Sequence, residues 1–297
     1  MPRFLKVFFA ALSLGTRFRG PRKPSDPGLL APALALQPLN GLLIGAAATF
    51  LPIFMTTNFR SLQGLMLFAS GIYLFLLEWL TRFDNLHGFD AACRMLAGAG
   101  VPPEERIRRR TEPGSSPCTS LLIGLKLLLL YLIFMRTSLF GDHMMLTIVL
   151  VSVPFIGRIA MLFSYPPDPG SQEGYVGTLV KIFWSLLALV LLAFVLGLLR
   201  TFGGDFFSFR TMRLTMSGFH GNNVDGGVPP FIALVSIGIQ DTFSFFVSGF
   251  LSVLYWNTEA AKKLGKCPAP CFAGAVCETA ELAAMIIFLI LADDIIF

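Results

Sequence analysis

Long apolar runs alternate along the chain with short polar intervals. The runs cover residues 40–56, 61–80, 119–135, 143–163, 179–199, 230–255 and 272–292. They are continuous and Leu-rich, as in KLLLLYLIF, and show no two-residue alternation. That pattern predicts helices and not the strands of a membrane barrel. Most come close to the roughly 20 residues a helix needs to cross a bilayer core. An earlier run, residues 4–19, is shorter and has basic ends, which predicts an interfacial or re-entrant helix. The Pro/Gly-rich GPRKPSDPG that follows reads as a turn. No repeat of fixed period occurs. The expected fold is all-α: a polytopic membrane bundle of six to seven transmembrane helices plus a short N-terminal interfacial or re-entrant helix, in one domain over residues 1–297.

Composition strengthens that reading. Hydrophobic residues make up 55% of the 297 and charged residues only 14%, against about 25% charged in soluble domains. The net charge of +5 fits a cytoplasmic bias of Lys and Arg, and no basic helix interleaved with aromatics points to nucleic acid. With the N-terminus inside, inner segments hold fifteen of the 23 Lys and Arg, outer segments five, and spans three (Lys126, Arg158 and Lys181). The bias puts the N-terminus and the 80–118 and 256–271 loops on the cytoplasmic face. The five cysteines then lie at or near a reducing side, and their odd number predicts free thiols. No cleavable signal peptide is expected at the N-terminus.

Ionisable residues in or beside a membrane are costly, so they are the first candidates for chemistry. The interval 79–120 holds six of the Lys and Arg and five of the 18 Asp and Glu. Glu78 precedes it at a span end, and Asp84, His87 and Asp90 follow at three-residue spacing, which places them along one helix face. Such a stripe could hold a divalent cation; it could equally be a solvated helix end paired with Arg82 and Arg94. Arg106, Arg108, Arg109 and Arg110, beside Glu112, could clamp phosphate or anchor on anionic lipid. Cys267, Cys271 and Cys277 match no usual zinc spacing. Glu278 and Glu281, one turn apart at the mouth of the last span, need a partner or a metal, and Arg158 needs an anion. His220 and Asp225, in HGNNVDGG, read as part of a Gly/Asn-rich turn.

Motifs along nearly the whole chain resemble those of the cobalamin-5′-phosphate synthase family, the adenosylcobinamide-GDP ribazoletransferases. FFAALSLGTRF resembles the family's apolar opening with its closing Ser/Thr-Arg pair, and PLNGLLIGAAATF the Pro-Leu-x-Gly start of a span. NLHGFDAACRML resembles its Asp-rich signature, and PPEERIRRRTEPG follows where the family has a basic–acidic stretch. IGRIAMLFSYPP with the later QEG, and CFAGAVCETAEL, resemble its Gly-Arg and Gly-Ala-x-x-Glu-x-x-Glu segments. With Leu86, Gly88 and Phe89 in register, the signature aspartates fall on His87, Ala91 and Arg94, and the aspartate of the last motif on Cys271. Gly274, Ala275, Glu278, Glu281, Arg17 and Arg158 match.

The resemblance implies a membrane transferase that joins α-ribazole, or α-ribazole 5′-phosphate, to adenosylcobinamide-GDP and releases GMP late in cobalamin biosynthesis, in a bacterial cytoplasmic (inner) membrane. It implies Mg²⁺ at Asp84, Asp90, Glu278 and Glu281. Asp84, His87, Asp90 and Glu112 would be the catalytic group, and Arg17, Arg106, Arg108, Arg109, Arg110 and Arg158 would meet phosphate. The expected partners are those two substrates and the lipid bilayer, with no nucleic acid; oligomeric state stays open. Two other readings stand beside this one: a relative that keeps the fold and ligand binding without turnover, and an unrelated membrane transporter.

Overall fold

The computed structural model describes residues 3–16, 29–58, 64–97, 116–139, 143–164, most of 177–191, 251–256 and 269–294. The described residues are helical throughout and contain no strand. In chain order the helices are α1 (Arg3–Gly15), α2 (Leu30–Ala35), α3 (Gln37–Asn58), α4 (Leu65–Leu80), α5 (Asp84–Ala97), α6 (Pro117–Leu139), α7 (His143–Ser164) and α8 (Ala269–Asp294). Shorter helical stretches lie at Leu179–Leu191 and at residues 251–256. Four helices, α3, α6, α7 and α8, are long and apolar enough to cross a membrane, and α4 with α5 makes a fifth if that bent pair is one span. The expected runs at 40–56, 119–135, 143–163 and 272–292 fall on α3, α6, α7 and α8, and the run at 61–80 on α4. Most of 230–255 and part of 179–199 lie outside the described residues, so the described span count is four to five.

α3 and α7 pack most extensively of the described helix pairs, and small residues explain why. A Cβ on Gly41 would stand 2.8 Å from Phe155 Cα, and one on Gly45 would stand 2.7 Å from the Val151 carbonyl oxygen. Helices with no hydrophobic drive between them in lipid gain from such close backbone approach. Pro154, inside α7, has no N–H to give the carbonyl four residues back. That carbonyl belongs to Leu150, and the buried Tyr73 hydroxyl of α4 donates to it at 2.6 Å. The contact replaces the lost helical bond, as a chain in lipid requires. α8 lies against α7, α5 and α6. Its Gly274 comes so near α5 that a Cβ would meet the Asn85 carbonyl oxygen at 2.6 Å.

α1 docks beside α2 through Val7, Ala10 and Ala11, which bury with Ala33 and Leu36. Asn40 at the start of α3 donates to the Ala11 carbonyl at 2.7 Å. The outward faces of the spans carry Phe50, Phe54, Phe68, Phe75, Leu121 and Leu128, the large apolar surface that lipid accepts.

α4 ends in a corner of 86°. The Phe83 N–H donates to the Glu78 carbonyl at 2.8 Å and the Arg82 N–H to the Trp79 carbonyl at 3.2 Å. This is a Schellman pair closing a helix C-terminus. It places Arg82 and Phe83 both at φ 59°, a region non-glycine residues rarely adopt. α5 starts immediately afterwards with Asp84 and His87 exposed. Exposed charge does not face lipid cheaply, so the exposed Asp84 and His87 favour a course for α5 outside the hydrocarbon over completion of the span begun by α4.

Candidate functional site

One lysine organises the interior. Lys126 lies midway along α6 inside the run LIGLKLLLL, and its side chain is 0% exposed. An ammonium in that position requires acidic partners, and two other helices supply them. Glu278 Oε2 of α8 accepts directly from Lys126 Nζ. Glu281 Oε2, one turn further along α8, accepts at 2.7 Å. Glu78 Oε1, in the last turn of α4, stands 3.6 Å from the same Nζ. All three carboxylates are buried. Lys126 therefore ties α4, α6 and α8 together through one charged centre.

Around this centre the other helices add polar groups. Cys277, fully buried, lies 3.6 Å from Glu281 Oε1 and receives the Asn85 amide of α5 at 3.4 Å. The Arg158 guanidinium of α7 is buried and bonds Gln37 Oε1 at 3.5 Å. Gly157, beside it, leaves room for the Glu281 side chain: a Cβ there would stand 2.8 Å from Glu281 Cγ and from Cys277 Sγ. That glycine keeps Glu281 in line with Lys126.

A second polar network sits at the surface end of the bundle. Asp90 Oδ1 accepts from the Ser116 N–H and the Thr119 hydroxyl, each at 2.6 Å, and Oδ2 pairs with Arg94 at 2.7 Å. Ser116 and Thr119 form the N-terminus of α6, where donors lack helical partners and favour an anion. Burial raises the Asp90 pKa, but the bonds from Thr119, Ser116 and Arg94 outweigh it and hold the carboxyl at about 2. Nearby, burial and the neighbouring Cys118 thiol push Cys93 up to about 12. Cys93, Cys118 and Cys277 are free thiols.

The expected site residues thus separate. Glu278 and Glu281 converge, with each other and on Lys126. Asp84 and His87 lie exposed on α5, and Asp90 is committed to Arg94, Ser116 and Thr119. Among the described residues no group of three or more His, Cys, Asp or Glu is placed to hold a metal ion. The acids assigned to Mg²⁺ therefore do not form one cation site: two already hold an ammonium and one caps a helix. Arg158 reaches the edge of the buried centre. Arg17, Arg106, Arg108, Arg109, Arg110 and Glu112, with His220, Asp225 and Cys267, lie outside the described residues, as does the side chain of Cys271. Lys126 is the member that the sequence patterns did not select; Glu78 is a sequence candidate at its span end, but grouped with Asp84, His87 and Asp90 and not with Glu278 and Glu281. Comparison with protein-family models, curated proteins and solved structures gave no match.

Proposed function

We propose that the chain is an integral membrane protein of the ribazoletransferase type whose acidic centre is occupied from within by the Lys126 ammonium. It acts by binding the corrinoid–nucleotide, adenosylcobinamide-GDP, together with α-ribazole or its 5′-phosphate, and not by Mg²⁺-dependent joining of the two. One observation carries this reading. Glu278 and Glu281, the two carboxylates that the resemblance assigns to Mg²⁺, both bond Lys126 Nζ. An ammonium there repels a divalent cation and takes up one oxygen of each carboxylate that would ligate it. Catalysis of this transfer needs charge neutralisation on a diphosphate, and no described carboxylate cluster is free to hold an ion for that purpose.

The Lys and Arg bias of the loops supports a cytoplasmic N-terminus and a cytoplasmic 80–118 segment in a bacterial inner membrane. Arg106, Arg108, Arg109 and Arg110 would then offer bidentate donors to a diphosphate from that side.

The test uses the full chain in lipid nanodiscs, with adenosylcobinamide-GDP binding and GMP release followed in parallel, with Mg²⁺ and with EDTA. The reading expects saturable binding that is the same in both, and no GMP above the metal-free blank. Mg²⁺-dependent GMP release would restore the active transferase. Absence of corrinoid binding would remove the family reading altogether.

A further inference from the structure

The buried centre holds more negative than positive charge. Glu78, Glu278 and Glu281 contribute three carboxylates. Lys126 contributes one ammonium, and the only other described cation that acts on the cluster is Arg158. Even with the whole charge of Arg158 counted, one negative charge is left without a counter-charge among the described residues. The remaining described titratable neighbours add no positive charge. The Tyr73 hydroxyl of α4 is donating to Leu150, and the Cys277 thiol of α8 lies between Asn85 and Glu281. α5 adds only the Asn85 amide at this depth, because Asp84 and His87 lie outside.

Hydrogen bonding shows the same deficit. Glu78 Oε2 and Glu278 Oε1 are buried and have no hydrogen-bond partner, a costly state for a carboxylate oxygen. A bound proton cancels the excess charge, and the O–H it creates is a donor in a centre where acceptors without partners outnumber donors. The geometry also selects the carrier. Lys126 bonds Glu278 and Glu281 directly, whereas Glu78 stands 3.6 Å away, beyond a hydrogen bond. Glu78 is the carboxylate least held in its charged form.

From these contacts we infer that Glu78 is an intramembrane proton-binding site, with a proton exchanged with the aqueous edge of the membrane as its ligand. The route is short. Glu78 occupies the last turn of α4, its carbonyl closes the corner at Phe83, and the chain emerges at exposed Asp84. Release of the proton would leave the centre with the uncompensated charge, so protonation of Glu78 and the packing of α4 against α6 and α8 are linked. The inference rests on the Lys126 contacts and stands whether or not the corrinoid reading does.

Infrared spectroscopy of the full chain in nanodiscs at about pH 7 tests it, because solvated carboxyls are ionised there. The wild type should show one protonated-carboxyl C=O band that moves in D₂O. Glu78→Gln should abolish the band, Glu78→Asp should displace it, and Glu281→Asp should leave it in place. The wild-type spectrum decides first and needs no variant to fold: absence of the band overturns the inference. So does a band that survives Glu78→Gln, or one that moves in Glu281→Asp and stays in Glu78→Asp.

Discussion

Replacing Lys126 by Met removes the ammonium and keeps most of the volume of the buried stem. The side chain is fully enclosed, so water cannot take over the role of the ammonium. Two carboxylates lose direct partners and a third loses its nearest cation. Breaking a buried pair by removing one partner costs about 3–5 kcal/mol, mostly as the penalty on the charge left behind. Lys126→Met should therefore destabilise the bundle by about that amount. Equilibrium unfolding in mixed micelles, followed by helical circular dichroism, reads the change. Because the centre is closed to solvent, the loss should be the same at low and high salt. Adding Glu278→Gln and Glu281→Gln to Lys126→Met removes the stranded charges and should recover most of the loss, since neutral replacement of a buried ion cluster is often close to neutral. A cost below about 1 kcal/mol for Lys126→Met, or no recovery in the triple variant, would refute the idea that this centre binds the helices together.

Other changes address the rest of the bundle. Tyr73→Phe strands the Leu150 carbonyl that Pro154 cannot serve, and should cost about 1–3 kcal/mol in the same unfolding measurement; the double change with Pro154→Ala should cost less than the sum. Gly45→Ala places a Cβ 2.7 Å from the Val151 carbonyl oxygen and should cost about 1–3 kcal/mol by forcing α3 from α7; Gly71→Ala, with open space around it, is the control. Asp90→Asn should destabilise by about 1–2 kcal/mol at neutral pH, less than the full shift implies because the network lies at the surface end. The folded Asp90 carboxyl sits at about 2 against an ordinary 3.8, so its contribution is present above the ordinary value. It disappears as pH falls toward 2, where wild type and variant should converge.

The apolar runs made the helices legible, because a bilayer leaves the backbone few other solutions. Hence α3, α6, α7 and α8 fall where the runs lie. The corner at Arg82 and Phe83 was not legible: neither residue is a glycine, and nothing in DNLHGF announces two left-handed residues before a new helix. Glu278 and Glu281 stood out through their three-residue spacing in a span. Their partner did not, because Lys126 is a single charge in a Leu run and the first acids it meets in space, Glu78 and Glu278, lie 48 residues before it and 152 after. The available signal was the cost itself, since a lysine at that depth demands carboxylates and the spans hold few. Asp90 misled for the opposite reason. It shares a periodic face with Asp84 and His87, but tertiary packing turns it to the N-terminus of α6, which periodicity cannot report.

The most direct test of Lys126 as the internal cation is the unfolding midpoint of the wild-type chain across a Mg²⁺ titration. A ligand that binds only the folded state raises stability as its concentration passes its dissociation constant. The account predicts a flat response in the wild type at constant ionic strength. A saturable, EDTA-reversible rise in the wild-type midpoint would mean that a divalent cation binds the folded chain and can take the place assigned to Lys126 at these carboxylates, and would contradict it.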